Sequence, residues 1–203
     1  RATRLRAMSQ TPRPTLRLLA GRHRRAFGGY PWIYSNEIVM DAAAKALPAG
    51  TIVAIQAADG RMVGAGTFNP HTLIAVRVLT SDPAVEIGAE FLTGRLRAAL
   101  HWRERLFGTP FYRLIHAEAD GLGGLILDRF GDTVVVQITT AGMERLRAPL
   151  LEAIDTVLSP RCVVLKCDPA ARDTEGLESY VTVAKGALDG PIEGREGAIR
   201  FLA

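Results

Sequence analysis

Apolar residues gather in short runs along roughly the first hundred positions, and these read mostly as short strands. Runs at 15–19, 51–57, 61–68 and 73–79 are strand-sized. Turn residues separate them at Ala49-Gly50, Asp59-Gly60 and Asn69-Pro70. Short strands at this spacing predict a small barrel. Asp59-Gly60 lies between TIVAIQA and RMVGAGTF and signals a tight hairpin, because both residues tolerate positive φ. Gly64 and Gly66 in the next strand leave room for close backbone approach.

The pattern changes after the segment SDPAVE at 81–86. Phe91, Leu92, Leu96, Ala99, Leu100, Arg103 and Leu106 then recur at helical spacing up to Gly108, predicting a helix over 88–107. That break divides the chain into a flexible leader at 1–11, a barrel at 12–82 and a second domain at 83–203. The second domain predicts strands at 112–117, 124–129 and 133–139, a helix at about 143–158, a strand at 162–167 and shorter pieces to the end. Helix on sheet, an α+β layer, follows. No repeat of fixed period and no low-complexity stretch interrupts it.

With 203 residues, 48% of them hydrophobic, the chain can bury one sizeable core or two small ones. Its longest apolar runs are strand-sized, so no membrane partner is expected. The Arg-rich, acid-free start resembles a transit peptide, but Pro12 and Pro14 break any amphipathic helix and Met8 is a candidate natural start. A cytoplasmic protein with a short leader is expected. Cys162 and Cys167, five apart in a strand, fall on opposite faces roughly 17 Å apart, which excludes a mutual disulfide.

The net charge of +4 is unevenly spread, because residues 1–36 hold eight arginines and no acid while the remainder is net negative. Arg22, His23, Arg24 and Arg25 repel one another unless an anion is near, and phosphate is the usual partner of forked guanidinium groups. A solvated loop is the plainer reading of such a run. Its neighbour Gly28-Gly29-Tyr30-Pro31-Trp32-Ile33-Tyr34-Ser35-Asn36 adds glycines that let a backbone approach and aromatics that can stack on bases. Trp32 reads as a core aromatic and the arginines around it as RNA ligands.

Glu118, Asp120 and Asp128 lie among Gly121, Gly123 and Gly124, but carboxylate pairs are defined by a geometry that spacing does not establish. Gly121-x-Gly123 lacks the third glycine of a dinucleotide fingerprint and leads into a strand, so Asp-Gly turn chemistry is the better reading. His23, His71, His101 and His116 lack ligand spacing, and no metal is expected. No nucleophile elbow or cysteine–histidine pair is present, so no catalytic residue is assigned.

Four segments carry a resemblance to a known family. They are Gly29-Tyr30-Pro31-Trp32 through Ile38, with Tyr30 in place of the usual histidine; Gly64-Ala65-Gly66-Thr67-Phe68-Asn69-Pro70 with Ile74 through Leu79; Tyr112 through Asp132, with Gly123 where proline is common; and Asp168 through Leu177, with Glu196-Gly197 near the end. In order and spacing they resemble the PUA-containing class I methyltransferases that make 5-methylcytosine in bacterial large-subunit rRNA.

The resemblance implies a PUA barrel that binds RNA, a middle α+β domain, and a Rossmann-like domain that holds S-adenosylmethionine. The expected fold class is therefore α+β, a small PUA-like β-barrel followed by an α+β middle domain, with the Rossmann-like methyltransferase domain absent from this chain. No cofactor is expected in the chain itself, S-adenosylmethionine belonging to the parent protein. The chain alone is expected to be inactive. Cysteine attack at cytosine C6 would make C5 nucleophilic, but Cys162 and Cys167 lie outside the domain that needs the thiolate. The expected partner is rRNA, and a homodimer is compatible with the sequence. Arg22, Arg24, Arg25, Asn36, Phe68 and Arg77 are the expected RNA contacts, because they lie in or beside the matched barrel segments. A complete, non-catalytic RNA or protein interaction module is the alternative, and a hydrolase using Glu118, Asp120 and Asp128 the weakest reading.

Overall fold

A computed structural model describes residues 13–188, 190–196 and 199–202, so most of the expected leader lies outside the described residues. The first sheet contains β1 (Thr15–Arg17), β2 (Trp32–Tyr34), β3 (Thr51–Gln56), β4 (Met62–Phe68) and β5 (Ile74–Thr80) in the order β1-β3-β4-β5-β2. β3, β4 and β5 form an antiparallel meander, β1 joins β3 in parallel, and β2 joins β5 antiparallel. The two edges meet where Leu18 bridges Ile38. There the Leu19 N–H donates to the Glu37 carbonyl at 2.8 Å and the Val39 N–H to the Arg17 carbonyl at 2.9 Å. Closure of this kind satisfies edge groups that would otherwise recruit a foreign strand. Leu18, Ile33, Ile55, Phe68 and Val76 fill the interior.

Asp59-Gly60 sits in the connection between β3 and β4, closed by a hydrogen bond from the Ala57 N–H to the Arg61 carbonyl at 2.8 Å. Gly66 has the close approach expected of it. A Cβ there would lie 2.2 Å from the Arg77 carbonyl oxygen on β5. The arginine run, whose simplest reading was a loop, forms the short helix α1 (His23–Phe27), anchored by buried Ala26. A second short helix, α2 (Ala42–Lys45), is capped by Asp41, which accepts from the Ala44 N–H at 2.8 Å.

Helix α3 (Ala89–Leu106) opens the second layer. β6 (Phe111–His116), β7 (Leu125–Phe130), β8 (Thr133–Ile138), β9 (Cys162–Cys167) and β10 (Tyr180–Lys185) follow in the order β10-β9-β8-β7-β6. The expected helix at 143–158 is two helices, α4 (Ala141–Arg145) and α5 (Arg147–Leu158), with Leu146 between them. Pro149 has no N–H to give the Arg145 carbonyl, so the break falls one turn before it. α3 and α5 pack together, and Leu92, Leu96, Leu150 and Ile154 share one core with Leu125, Leu127, Val136 and Val163 of the sheet. A hairpin of β11 (Glu193–Glu196) and β12 (Ile199–Leu202) completes the described chain.

The expected fold class, with its absent Rossmann-like layer, needs correction. β8 and β9 are parallel and connected through α4 and α5, a β-α-β crossover of the kind from which Rossmann-like sheets are built. Strand, helix and strand are expected there from the sequence, but the parallel pairing of the two strands is a long-range contact that no local pattern marks. The Gly66 contact gives a direct test of the barrel. Gly66→Ala is expected to lower unfolding stability by about 1–3 kcal/mol, the usual cost of overpacking, seen as a lower urea midpoint at unchanged slope.

Candidate nucleic-acid interface and the seam behind it

Arg22, Arg24 and Arg25 are exposed on and beside α1, and among the described residues no carboxylate pairs with any of them. The Arg25 guanidinium lies 3.9 Å from the centre of the Tyr30 ring and 5.5 Å from that of Tyr34. Tyr30 in turn packs edge-on against Trp32 at 6.0 Å. A hydrogen bond with Tyr34 holds the Tyr30 phenol above its ordinary pKa. On the next loop Arg61 stacks over the half-exposed ring of Phe27 at 4.8 Å. Arg61 gives its Nε and Nη2 to Asp59 at 3.0 and 2.8 Å, whereas Arg25, laid on its rings without a carboxylate partner among the described residues, is placed to receive phosphate.

Behind this face the barrel is tied to the second sheet by one polar chain. Trp32 Nε1 donates to Glu118 Oε1 at 2.8 Å, and Arg77 Nε approaches the same oxygen at 3.8 Å. Arg77 Nη1 pairs with Glu175 Oε1 at 2.8 Å. The other carboxylate oxygen of Glu175 accepts from Asn69 Nδ2 at 2.8 Å and from the Ala141 N–H at 3.2 Å. Glu175 is 5% exposed and Asn69 3%, so these charges are held out of water by mutual satisfaction. The four segments of the resemblance supply Trp32, Asn69 and Arg77, Glu118, and Glu175. They are distant in sequence and meet at one place.

A second cluster fixes the loop that carries Glu175. Buried Arg172 donates from Nη1 to Glu144 Oε2 at 2.9 Å and from Nη2 to the Glu178 carbonyl at 2.7 Å, and lies over the Tyr180 ring at 5.0 Å. The Tyr180 hydroxyl donates to Glu144 Oε1 at 3.0 Å. Burial, the largest cause, and hydrogen bonds with Cys167 and Glu144 push its pKa up to about 12, against an opposing contact from Arg147.

The acidic trio singled out in the sequence is consumed by arginines. Asp120 takes two hydrogen bonds from Arg103 Nη2, at 2.9 and 2.8 Å, and a third from the His116 N–H at 2.7 Å. Asp128 is bonded by Arg113 at 2.9 and 3.1 Å, and Glu118 belongs to the seam. Carboxylates so engaged keep structure rather than move protons. Cys162 and Cys167 are free and buried. Among the described residues no three His, Cys, Asp or Glu side chains gather as a metal site, and no helix is long and apolar enough to cross a membrane.

Of the six expected RNA contacts, the structure brings Arg22, Arg24 and Arg25 together on α1 and leaves Asn36 exposed on the turn after β2. Phe68 is 0% exposed inside the barrel and has no face for a base. Arg77 spends its guanidinium on Glu175 and Glu118, with 16% of its side chain exposed. Trp32, expected in the core, is half-buried with its N–H in the seam. Tyr30 and Tyr34 were named as aromatics but not as a pair around Arg25. Their spacing of four, across a strand start, was the available signal.

Residues 16–81 match the sequence profile of a PUA-like domain. The chain is 35% identical over 175 residues to Ribosomal RNA large subunit methyltransferase I of Shigella boydii serotype 18 (strain CDC 3083-94 / BS512), covering 84% of this chain and 43% of that protein. It is 37% identical over 165 residues to the protein of the same name from Escherichia coli (strain SMS-3-5 / SECEC), covering 79% and 41%. The chain thus spans about two-fifths of the length of these curated relatives. Among solved structures, a protein of Streptococcus mutans assigned as a SAM-dependent methyltransferase aligns with a TM-score of 0.76 at 13% identity, over 93% of this chain and 48% of that one. SMU.776, assigned as a methyltransferase and solved in complex with SAH, aligns with a TM-score of 0.75 at 13% identity, over 95% and 47%.

At that identity the likeness concerns the fold, and it overturns the expectation of a chain from which the methyltransferase fold is absent. The alignment runs through both sheets and is not confined to the barrel.

Two outcomes follow from the seam. Glu175→Ala strands the Arg77 guanidinium and the Asn69 amide, and is expected to cost about 3–5 kcal/mol of stability, as for a broken buried pair, measured by urea denaturation. Tyr180 has a folded pKa above its unfolded value of 10.0, so its contribution is complete below pH 10 and is lost as pH rises toward about 12. Absorbance titration should show one late-ionising tyrosine, removed by Tyr180→Phe.

Proposed function

We propose that this chain is the RNA-positioning part of an S-adenosylmethionine-dependent methyltransferase that forms 5-methylcytosine in large-subunit ribosomal RNA, working in the cytoplasm. The observation that carries the reading is the cationic face of the barrel, where Arg22, Arg24 and Arg25 stand exposed, with no carboxylate partner among the described residues, beside the Tyr30–Arg25–Tyr34 stack. The match of residues 16–81 to a PUA-like domain and the likeness to rRNA methyltransferases supply the class of partner. Methyl transfer is proposed of the whole enzyme.

In this reading the three arginines hold the phosphate backbone, which sets register without reading sequence. Tyr30 and Tyr34 offer ring faces held in place by Arg25, and Asn36 offers an exposed amide at the end of β2. Arg77 and Phe68 act from behind, one tying the barrel to the second sheet and the other filling its interior.

S-adenosylmethionine would supply the activated methyl group. An α/β sheet receives such a ligand at the carboxyl ends of its parallel strands, here the turn from Ile138 into α4. That turn is packed against the barrel. A Cβ on Gly142 would lie 2.2 Å from Thr67, and the Ala141 N–H is already bonded to Glu175. The residues at this turn do not fit the cofactor.

Filter binding of a 23S rRNA fragment between 50 and 200 mM salt tests the proposal. Each phosphate contact contributes on the order of 0.7–0.9 to the slope of log affinity against log salt. Replacing Arg22, Arg24 and Arg25 by alanine together is expected to flatten that slope by about two to three. No affinity at the lowest salt, or an unchanged slope in the triple variant, would overturn it.

A further inference from the structure

A second concavity, of about 430 Å³, opens between the end of α3, the β6–β7 hairpin and the β11–β12 hairpin. Its walls combine aromatic rings with arginines, and no residue of the α1 face contributes to it. The Phe107 and Tyr112 rings stack with centres 5.4 Å apart at 23°. Arg195 lies over Phe111 at 5.5 Å and Arg129 over Tyr112 at 6.0 Å. Arg129 also donates to the Tyr112 hydroxyl and to the Gly131 carbonyl, both at 3.1 Å, and among the described residues it has no carboxylate partner. Asp128 in the lining is already bound by Arg113, and Arg195 Nε donates to Glu193 Oε1 at 2.9 Å. Phe107 remains 47% exposed and Phe201, on the facing hairpin, 42%.

Large rings left this open in a folded chain mark a surface made for a ligand. Guanidinium groups over the ring faces argue against a purely apolar occupant, because docking a hydrophobic polypeptide would strip water from cations with nothing to replace it. A nucleotide satisfies both parts, its base lying on a ring and its phosphate meeting Arg129, whose own partners are neutral oxygens.

We infer that this concavity holds an unpaired nucleotide of the bound RNA, with Phe107 and Phe201 as stacking surfaces and Arg129 as the phosphate ligand. It is a second point of attachment, on the other sheet from the barrel face. The inference rests on the reading of the chain as RNA-binding.

The test uses the full chain and a single-stranded RNA oligonucleotide carrying one 2-aminopurine, whose fluorescence is quenched on stacking. Wild-type protein is expected to bind and quench. Phe107→Ala and Phe201→Ala, both at half-exposed positions, are expected to weaken binding about five- to a hundredfold and to restore the fluorescence. Arg129→Gln is expected to reduce the salt dependence. Equal affinity and equal quenching in both phenylalanine variants would overturn this inference and leave the barrel proposal standing, whereas wild-type protein that binds no RNA would overturn both. Self-association in sedimentation that disappears in Phe107→Ala, with RNA binding unchanged, would show the concavity to be a protein contact and overturn the inference as well.

Discussion

The arrangement of the molecule depends on the need to satisfy one buried carboxylate. Glu175, almost wholly out of water, is tolerable only while Arg77, Asn69 and the Ala141 N–H all reach it. Those partners come from β5, the β4–β5 turn and the start of α4, so the requirement holds a barrel strand, a turn and the β-α-β crossover in one relative position. Nonpolar packing alone would allow the two sheets to slide. A polar network with directional bonds does not.

That constraint explains why positively charged residues of the same barrel have different fates. Arg77 is turned inward and neutralised, whereas Arg22, Arg24 and Arg25 lie on and beside a short helix and have no carboxylate partner among the described residues. The inward arginine sets geometry and the outward ones are left for an anionic partner. The same division recurs in the second sheet, where Arg103 and Arg113 are spent on Asp120 and Asp128 while Arg129 is bound only to neutral oxygens. A polyanion approaching this protein would meet cations chosen by what the fold has left unpaired rather than by abundance along the chain.

The barrel was legible because its apolar runs are strand-sized and its turns carry Asp-Gly and Asn-Pro, both local properties. The spacing of Leu92, Leu96 and Ala99 likewise placed α3 within a residue at either end. The strands and helix of the β8–β9 crossover were legible but the parallel pairing of those strands was not, since it joins residues far apart in the chain, and the split at Leu146 turned on one missing N–H. Phe68 shows the limit most plainly. It stands in a matched segment beside exposed residues, and only the closure of the barrel decides that its ring faces inward.

What the sequence determined by itself was therefore the local content: strand and helix periods, turn chemistry, the Arg-rich opening, and four segments that resemble one family. What the tertiary structure decided was which of those residues remain available. Glu118, Asp120 and Asp128 stand close together in the sequence and are ion-paired or hydrogen-bonded in the fold, while Tyr30 and Tyr34, four apart, flank an exposed arginine. Pairing is a matter of distance between elements far apart in the chain, and no local pattern encodes it.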